Sequence, residues 1–159
     1  MKKQIPFLLS RLLATAILLV SVNANSAPAT VVTHQIEGKF DEVSNNIQAA
    51  IISKGINIAH ILPAGEMLHR TGNTFGYKND VYSNAQTFEF CSAAISHKLA
   101  RVDPENIVLC PFTISVYTLT DKAEMVNLSY RIPVGKPGTE EVVKEVVGLI
   151  ESIIEEAKW

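Results

Sequence analysis

The residues best suited to chemistry in this 159-residue chain are its two cysteines, Cys91 and Cys110. In an oxidising compartment such a pair favours a disulfide. Cys91 also directly precedes a predicted helix, whose N-terminus would stabilise a reactive thiolate. A third interpretation is that both are buried as small apolar residues. A disulfide needs Cα atoms within about 7 Å, a distance that the sequence does not provide, so all three interpretations stay open.

Three histidines and one arginine are the candidate ligand-binding residues: His60, His69, His97 and Arg70. His60 is expected on the same face of a short strand as three aliphatic residues and is therefore expected to be partly buried, which is more typical of a core histidine than of a ligand. His69 falls in an irregular stretch, where functional residues are often found. His97 is expected on the solvent side of a helix.

Residue types alone raise one cofactor hypothesis. Cys91, Cys110, His60 and His69 could together form a soft-metal or haem pocket, since thiolate and imidazole are suitable ligands. The chain has no CxxCH haem-attachment motif, no CxxC and no histidine spacing typical of zinc. The sequence therefore predicts no cofactor, and metal or haem stays an alternative.

Catalytic motifs are absent from the sequence. There is no GxSxG, no HExxH and no pair of carboxylates at a distinctive spacing. Two glycines, Gly72 and Gly76, lack the lysine and the strand-to-helix context of a phosphate-binding loop. No catalytic residue is predicted, and a non-enzymatic protein is favoured.

Apolar periodicity predicts an α+β domain in the order β-α-β-(loop)-β-α-β-β-α. Pro111 is expected to cause a bulge, a bend or a sheet edge in the sixth element, because proline cannot donate to a strand ladder. Thr139 is expected to cap the last helix. The predicted elements are strand 29–36, a helix from 40 to the break at Gly55, strand 56–62, loop 63–82 with a short helical turn near 66–70, strand 86–91, helix 92–102, strand 107–119, strand 124–132 and a helix from 139.

The N-terminus has the layout of a secretory signal. Lys2, Lys3 and Arg11 precede an apolar run at 12–20, and small residues follow it. This run is short of the about 20 residues that a spanning helix needs. We predict cleavage after Ala24, with Ser26 as the second choice, leaving residues 25–159 as a single domain that is periplasmic or secreted.

Composition narrows the class of partner. Loss of the signal takes Lys+Arg from 14 to 11 against 16 acidic residues, a mature net charge of −5. An acidic surface without a basic cluster argues against nucleic acid. With 47% hydrophobic and 19% charged residues the chain is expected to fold rather than stay disordered.

The order of elements and three short motifs resemble the domain-of-unknown-function 302 family. The motifs are a strand ending in Phe90-Cys91-Ser92-Ala93, a helix closing on Asp103-Pro104, and an apolar strand carrying Leu109-Cys110-Pro111. The chain differs from the family in that Cys110 precedes its proline and Phe90 replaces a small residue. From about Val31 onward, the resemblance implies a curved, mainly antiparallel sheet with helices on one side, as in the TATA-binding-protein-like fold.

These observations favour an exported binding or accessory domain that engages a small molecule or a periplasmic partner protein. The alternative is a thiol- or metal/haem-dependent redox protein centred on Cys91 and Cys110. A third hypothesis is a homodimer that presents its sheet or the 63–82 loop to another component. No membrane span is expected in the mature chain.

Overall fold

Five strands form one open antiparallel sheet in the computed structural model, which describes residues 31–158. The strand order is β1-β5-β4-β3-β2, so the first two strands of the chain lie at opposite edges. The predicted signal segment and its cleavage sites lie outside the described residues. The strands are Val31–Glu37 (β1), Ile58–Leu62 (β2), Tyr82–Phe90 (β3), Phe112–Leu119 (β4) and Lys122–Arg131 (β5), and the α-helices are Phe40–Ser53 (α1), Ala64–Gly72 (α2), Ala93–Val102 (α3) and Glu140–Glu156 (α4).

The core lies between one face of the sheet and three helices. Strand β4 alternates strictly between buried and half-buried residues, and its buried residues include Phe112, Ile114 and Val116. Helices α1, α3 and α4 cover this face, and Ile150 and Ile153 of α4 are almost fully buried. The predicted α+β order and the placement of helices on one face of the sheet are confirmed, because the period-2 and period-3.6 patterns bury their apolar residues against each other.

The opposite sheet face carries hydroxyl and amide side chains in cross-strand rows. Thr33 pairs with Ser129 on β5, and their hydroxyl oxygens are 2.8 Å apart. Thr87 pairs with Ser115 on β4 at the same separation of 2.8 Å. Such pairs satisfy polar side chains on the sheet face that points away from helices α1, α3 and α4.

A β-bulge in β2 makes the prediction for His60 wrong. The register shifts between Ile58 and His60, so Ile58 pairs with Phe90 while His60 pairs with Glu89. The extra residue at a bulge moves the side chains that follow it to the other face. As a result Ile61 takes the core-facing position and His60 is exposed.

The segment 104–109 forms a 3₁₀ helix, although its apolar residues were predicted to begin a strand. Asp103 accepts a hydrogen bond from the backbone N–H of Glu105 at 2.8 Å, and Pro104 occupies the first position, where its missing N–H costs nothing. Strand β4 begins only after Pro111. Ile107 and Val108, which the sequence predicts as the first residues of a strand, are instead 63% and 80% exposed.

The stretch 63–82 is more ordered than predicted. It contains the nine-residue helix α2, a 3₁₀ turn at Asn73–Phe75, and the start of β3, which begins at Tyr82 rather than Gln86. Gly76 has a left-handed φ of 82°, a conformation that suits glycine at this turn. Helix α2 packs on β3.

Across residues 31–158, no helix combines the length and apolarity needed to cross a membrane.

Candidate functional site

Helix α2, the loop that follows it and the start of β3 enclose a largely apolar cavity of about 370 Å³, the α2–β3 cavity. No residue of α2 is fully buried, and Leu68 and Phe75 at the cavity are 46% and 71% exposed. Apolar side chains left uncovered together indicate a binding surface, and cavities above about 300 Å³ hold small molecules. The apolar side chains that line it are Met67, Leu68, Phe75, Tyr77, Val81 and Tyr82.

A histidine–aspartate pair is part of the polar lining of the cavity, which also includes Thr71 and Asn79. His69 Nδ1 lies 2.7 Å from Asp80 Oδ2. The β4–β5 turn holds the aspartate in place, because the Thr120 hydroxyl donates to the Asp80 carbonyl at 2.8 Å and the Thr120 N–H donates to the Val81 carbonyl at 3.1 Å. His69, singled out from the sequence, is therefore positioned at the cavity, whereas the adjacent Arg70 does not line it.

A larger hollow elsewhere on the described residues is a less suitable ligand site. It measures about 1,100 Å³ and lies between the end of β1 and the β4–β5 turn. Charged residues of both signs line it, among them Glu37, Lys39, Asp121 and Lys122, and all four are exposed. Exposed charged side chains keep their hydration, so this hollow offers little gain to an apolar ligand.

Gly65 allows α2 to approach β3 closely. A Cβ atom at this position would lie 2.7 Å from the backbone nitrogen of Ala85. Backbone cannot move away as the end of a flexible side chain can, so the absence of a side chain at Gly65 brings the cavity wall against the sheet.

Replacing Gly65 by alanine is expected to lower the free energy of unfolding by about 1–3 kcal/mol, because the added methyl overpacks the α2–β3 contact. Urea denaturation of the purified domain measures this change. The matched control is Gly148→Ala in α4, where an added Cβ has no neighbour within 4 Å. There we expect a gain of about 0.5–1 kcal/mol from helix propensity, and equal changes at both positions would contradict the close approach.

The two cysteines lie at one end of the sheet, within disulfide distance of each other. Cys91 follows the last residue of β3, Cys110 comes two residues before β4, and these strands are paired through Phe90 and Phe112. Their Cα atoms are 6.0 Å apart, inside the range of natural disulfides. Both are half-buried, and the Ser96 hydroxyl contacts the Cys110 sulfur at 3.7 Å.

The other candidates lie apart from the cysteines. His97 is exposed on α3, as its helical position predicts, and His60 is exposed on β2. Among residues 31–158, Cys91, Cys110, His60 and His69 do not form a group of ligand atoms close enough to share a metal ion. The group of four proposed from residue types is therefore not assembled in this part of the chain.

A cluster that the sequence did not single out joins β1, β5 and α4. The Tyr130 hydroxyl donates to Glu151 Oε1 at 2.5 Å. His34 Nε2 lies 3.1 Å from the same oxygen and 3.0 Å from Oε2. Glu155 stands one helical turn further along α4, with a carboxylate oxygen within 4.8 Å of the other two ligand atoms. The alternation of Val32, His34 and Ile36 indicates that His34 is on the core-facing side of β1. It does not indicate the partners of His34, which are more than 90 residues away in sequence.

This environment shifts the ionisation of two of these groups. Burial, together with the hydrogen bond to the Glu151 carboxylate, raises the pKa of the Tyr130 hydroxyl above its usual range. Burial alone would raise the pKa of Glu151, but hydrogen bonds from Tyr130 and His34 outweigh it and hold that pKa below its ordinary value. The carboxylate of Glu151 is therefore stabilised in its charged form, which is the form that accepts both bonds.

Comparisons with known proteins place the chain in a family without assigning an activity. The crystal structure of an uncharacterised conserved protein of the DUF302 family from Bacillus stearothermophilus is similar, with a TM-score of 0.66 at 11% sequence identity. The likeness covers 80% of this chain and 97% of that one. At this identity it supports the fold alone.

No curated protein matches the chain significantly. The family model for the domain of unknown function DUF302 matches residues 32–157. This range includes the helices α1 to α4 and the strands β1 to β5, except for the first residue of β1. The chain therefore belongs to the DUF302 family.

Proposed function

We propose that this protein is an exported binding domain whose α2–β3 cavity takes a small, mainly apolar molecule carrying one hydroxyl group. The observation that supports the proposal is the cavity itself, with uncovered apolar side chains on one helix and a positioned histidine–aspartate pair. A pocket of about 370 Å³ falls at the lower end of the size range of small-ligand sites.

The His69–Asp80 pair defines the expected polar group of the ligand. In the neutral ring, a proton on Nδ1 donates to the Asp80 carboxylate across their 2.7 Å separation. The second ring nitrogen, Nε2, is then left as an acceptor. A hydroxyl donor on an otherwise apolar molecule matches such an acceptor at the edge of an apolar cavity.

Binding of 4-ethylphenol tests this proposal, with ethylbenzene as the probe that lacks the hydroxyl. Nuclear magnetic resonance spectra of the ¹⁵N-labelled mature chain should show shifts concentrated at residues 64–82. Leu68→Asp should weaken 4-ethylphenol binding by at least about tenfold, because it exchanges apolar contact for a charge. His69→Ala should weaken 4-ethylphenol binding but leave ethylbenzene binding unchanged.

The matched control is Ile107→Asp, which makes the same kind of change at another exposed apolar residue outside the cavity. It should leave both probes bound as in the unmodified protein. Shifts spread over the whole chain, or equal losses from Leu68→Asp and Ile107→Asp, would show that the probes do not occupy the cavity.

Export and the cysteine pair complete the proposal. The signal layout at residues 1–24 supports passage into an oxidising compartment, where Cys91 and Cys110 at their observed separation would form a structural disulfide. The same pair supports the redox alternative, since Cys91 directly precedes Ser92, the N-cap of α3. The two differ in what loss of one cysteine does to stability.

A further inference from the structure

We propose that His34, Glu151 and Glu155 form a binding site for a divalent transition-metal ion of the zinc type, distinct from the α2–β3 cavity. Among the described residues, this is the one group of three side chains whose ligand atoms come within 4.8 Å of one another. One imidazole and two carboxylates are a donor set that Zn²⁺ accepts, leaving a fourth position for water.

The distances within the cluster fit a shared ion. Ligand atoms bound tetrahedrally at about 2.0–2.2 Å to one ion stand about 3.3–3.6 Å apart, so a small adjustment of the present distances would admit it. His34 Nε2 is 3.0 and 3.1 Å from the two oxygens of Glu151. The nitrogen thus faces both oxygens, and an ion can enter between the imidazole and the carboxylate.

Tyr130 holds one of the proposed ligands, Glu151, in a fixed orientation. Its side chain is only 4% exposed, and its hydroxyl fixes Glu151 Oε1 through the 2.5 Å hydrogen bond. Partners that hold a ligating carboxylate in one orientation are a regular feature of metal sites. His34 and Glu151 are themselves partly shielded, with 25% and 33% of their side-chain surface exposed.

Lys158 is the counterion of one of the proposed ligands. Its ammonium group pairs with the Glu155 carboxylate, which is exposed. Exposed pairs of this kind contribute little, so a bound divalent cation would displace Lys158 at small cost. Glu151 and Glu155, one turn apart on α4, would then both face the ion.

The test uses the mature chain without a histidine tag, stripped with EDTA and titrated with Zn²⁺ against a chromophoric chelator. We expect one zinc ion per chain. His34→Gln and Glu151→Gln should each weaken binding by at least about tenfold, and Glu155→Gln should also weaken it. Co²⁺ bound in place of zinc should show a visible absorption band that these variants lose.

Two matched controls separate this site from adventitious binding. His69→Gln removes a different imidazole that contacts a carboxylate, and Glu145→Gln removes a different α4 carboxylate, one that pairs with Lys98. Both should bind zinc as the unmodified chain does. Because Glu155 is exposed, Glu155→Gln will fold even if the other two variants do not. Absence of stoichiometric zinc, or equal affinity in Glu155→Gln and Glu145→Gln, would overturn the proposal.

Discussion

Replacing Cys91 by serine is expected to lower the free energy of unfolding by about 2–5 kcal/mol, and replacing Cys110 should cost the same amount. The two residues are 19 apart in sequence, and a crosslink over a loop of this length restricts the unfolded chain by about 3 kcal/mol. Urea denaturation of the exported protein, with and without a reductant, measures the effect. A non-reducing mass spectrum should show the loss of two hydrogens.

The double variant Cys91→Ser/Cys110→Ser is the control for this prediction. If the pair is a structural crosslink, the double variant is about as unstable as either single variant, because one bond is lost in all three. The redox alternative predicts instead that Cys91→Ser abolishes thiol exchange with a small disulfide probe while the domain keeps its stability. Two free thiols in the exported protein would contradict the structural disulfide.

Most of the fold follows from local patterns in the sequence. The alternation in β4 and the apolar stripe of α4, which buries Val146, Ile150 and Ile153, both specify a face and a period within one element. The turn between Leu119 and Lys122 likewise makes β4 and β5 neighbours, although their register shifts beside it, between Thr118 and Leu119. These signals require no knowledge of distant residues, which is why the element order was predictable.

Apolar periodicity fails where a nearby cap or a distant strand decides the geometry. Ile107 and Val108 resemble the start of a strand, but the cap at Asp103 and the proline at 104 commit them to an exposed 3₁₀ helix. The bulge in β2 depends on the register with β3, so alternation alone places His60 on the wrong face. Thr139 stands at the N-cap of α4 without a side-chain cap, because its hydroxyl bonds to Lys136 instead.

The candidate sites were predictable only in part for the same reason. His69 was identified from its irregular surroundings, yet Asp80 becomes its partner only because α2 packs on β3 and the β4–β5 turn holds Asp80 in place. His34 and Glu151 are 117 residues apart and meet through the pairing of β1 with β5 under α4. Residue type indicates that a side chain can bind, whereas tertiary packing determines which side chains meet.

Asn106 connects three segments beside the sheet and is only 2% exposed. Its amide group donates to the Leu99 carbonyl at 3.1 Å and to the Thr139 hydroxyl at 3.2 Å. Its side-chain oxygen accepts from the backbone N–H of Lys136 at 3.0 Å. One buried side chain thus joins the end of α3 to the loop that leads into α4, and nothing in the sequence around 104–109 distinguishes it from an exposed turn asparagine.

Asn106→Ala should therefore destabilise the domain by about 3 kcal/mol, because buried partners left without a hydrogen bond cost about 1–3 kcal/mol each. Urea denaturation measures the loss, and Asn45→Ala on the exposed side of α1 should change stability by less than about 0.5 kcal/mol.

Asn106→Asp gives an independent measure of the same contacts, since aspartate can accept from Lys136 but, when ionised, can donate to neither Leu99 nor Thr139. Burial raises the folded-state pKa of such a carboxyl above about 3.9, its unfolded value. The deficit relative to the unmodified protein should then shrink as the pH falls from about 7 to 4, where the aspartate takes up a proton and can donate again. A deficit that is independent of pH, together with a small effect of Asn106→Ala, would show that these three bonds do not hold the α3 and α4 segments together.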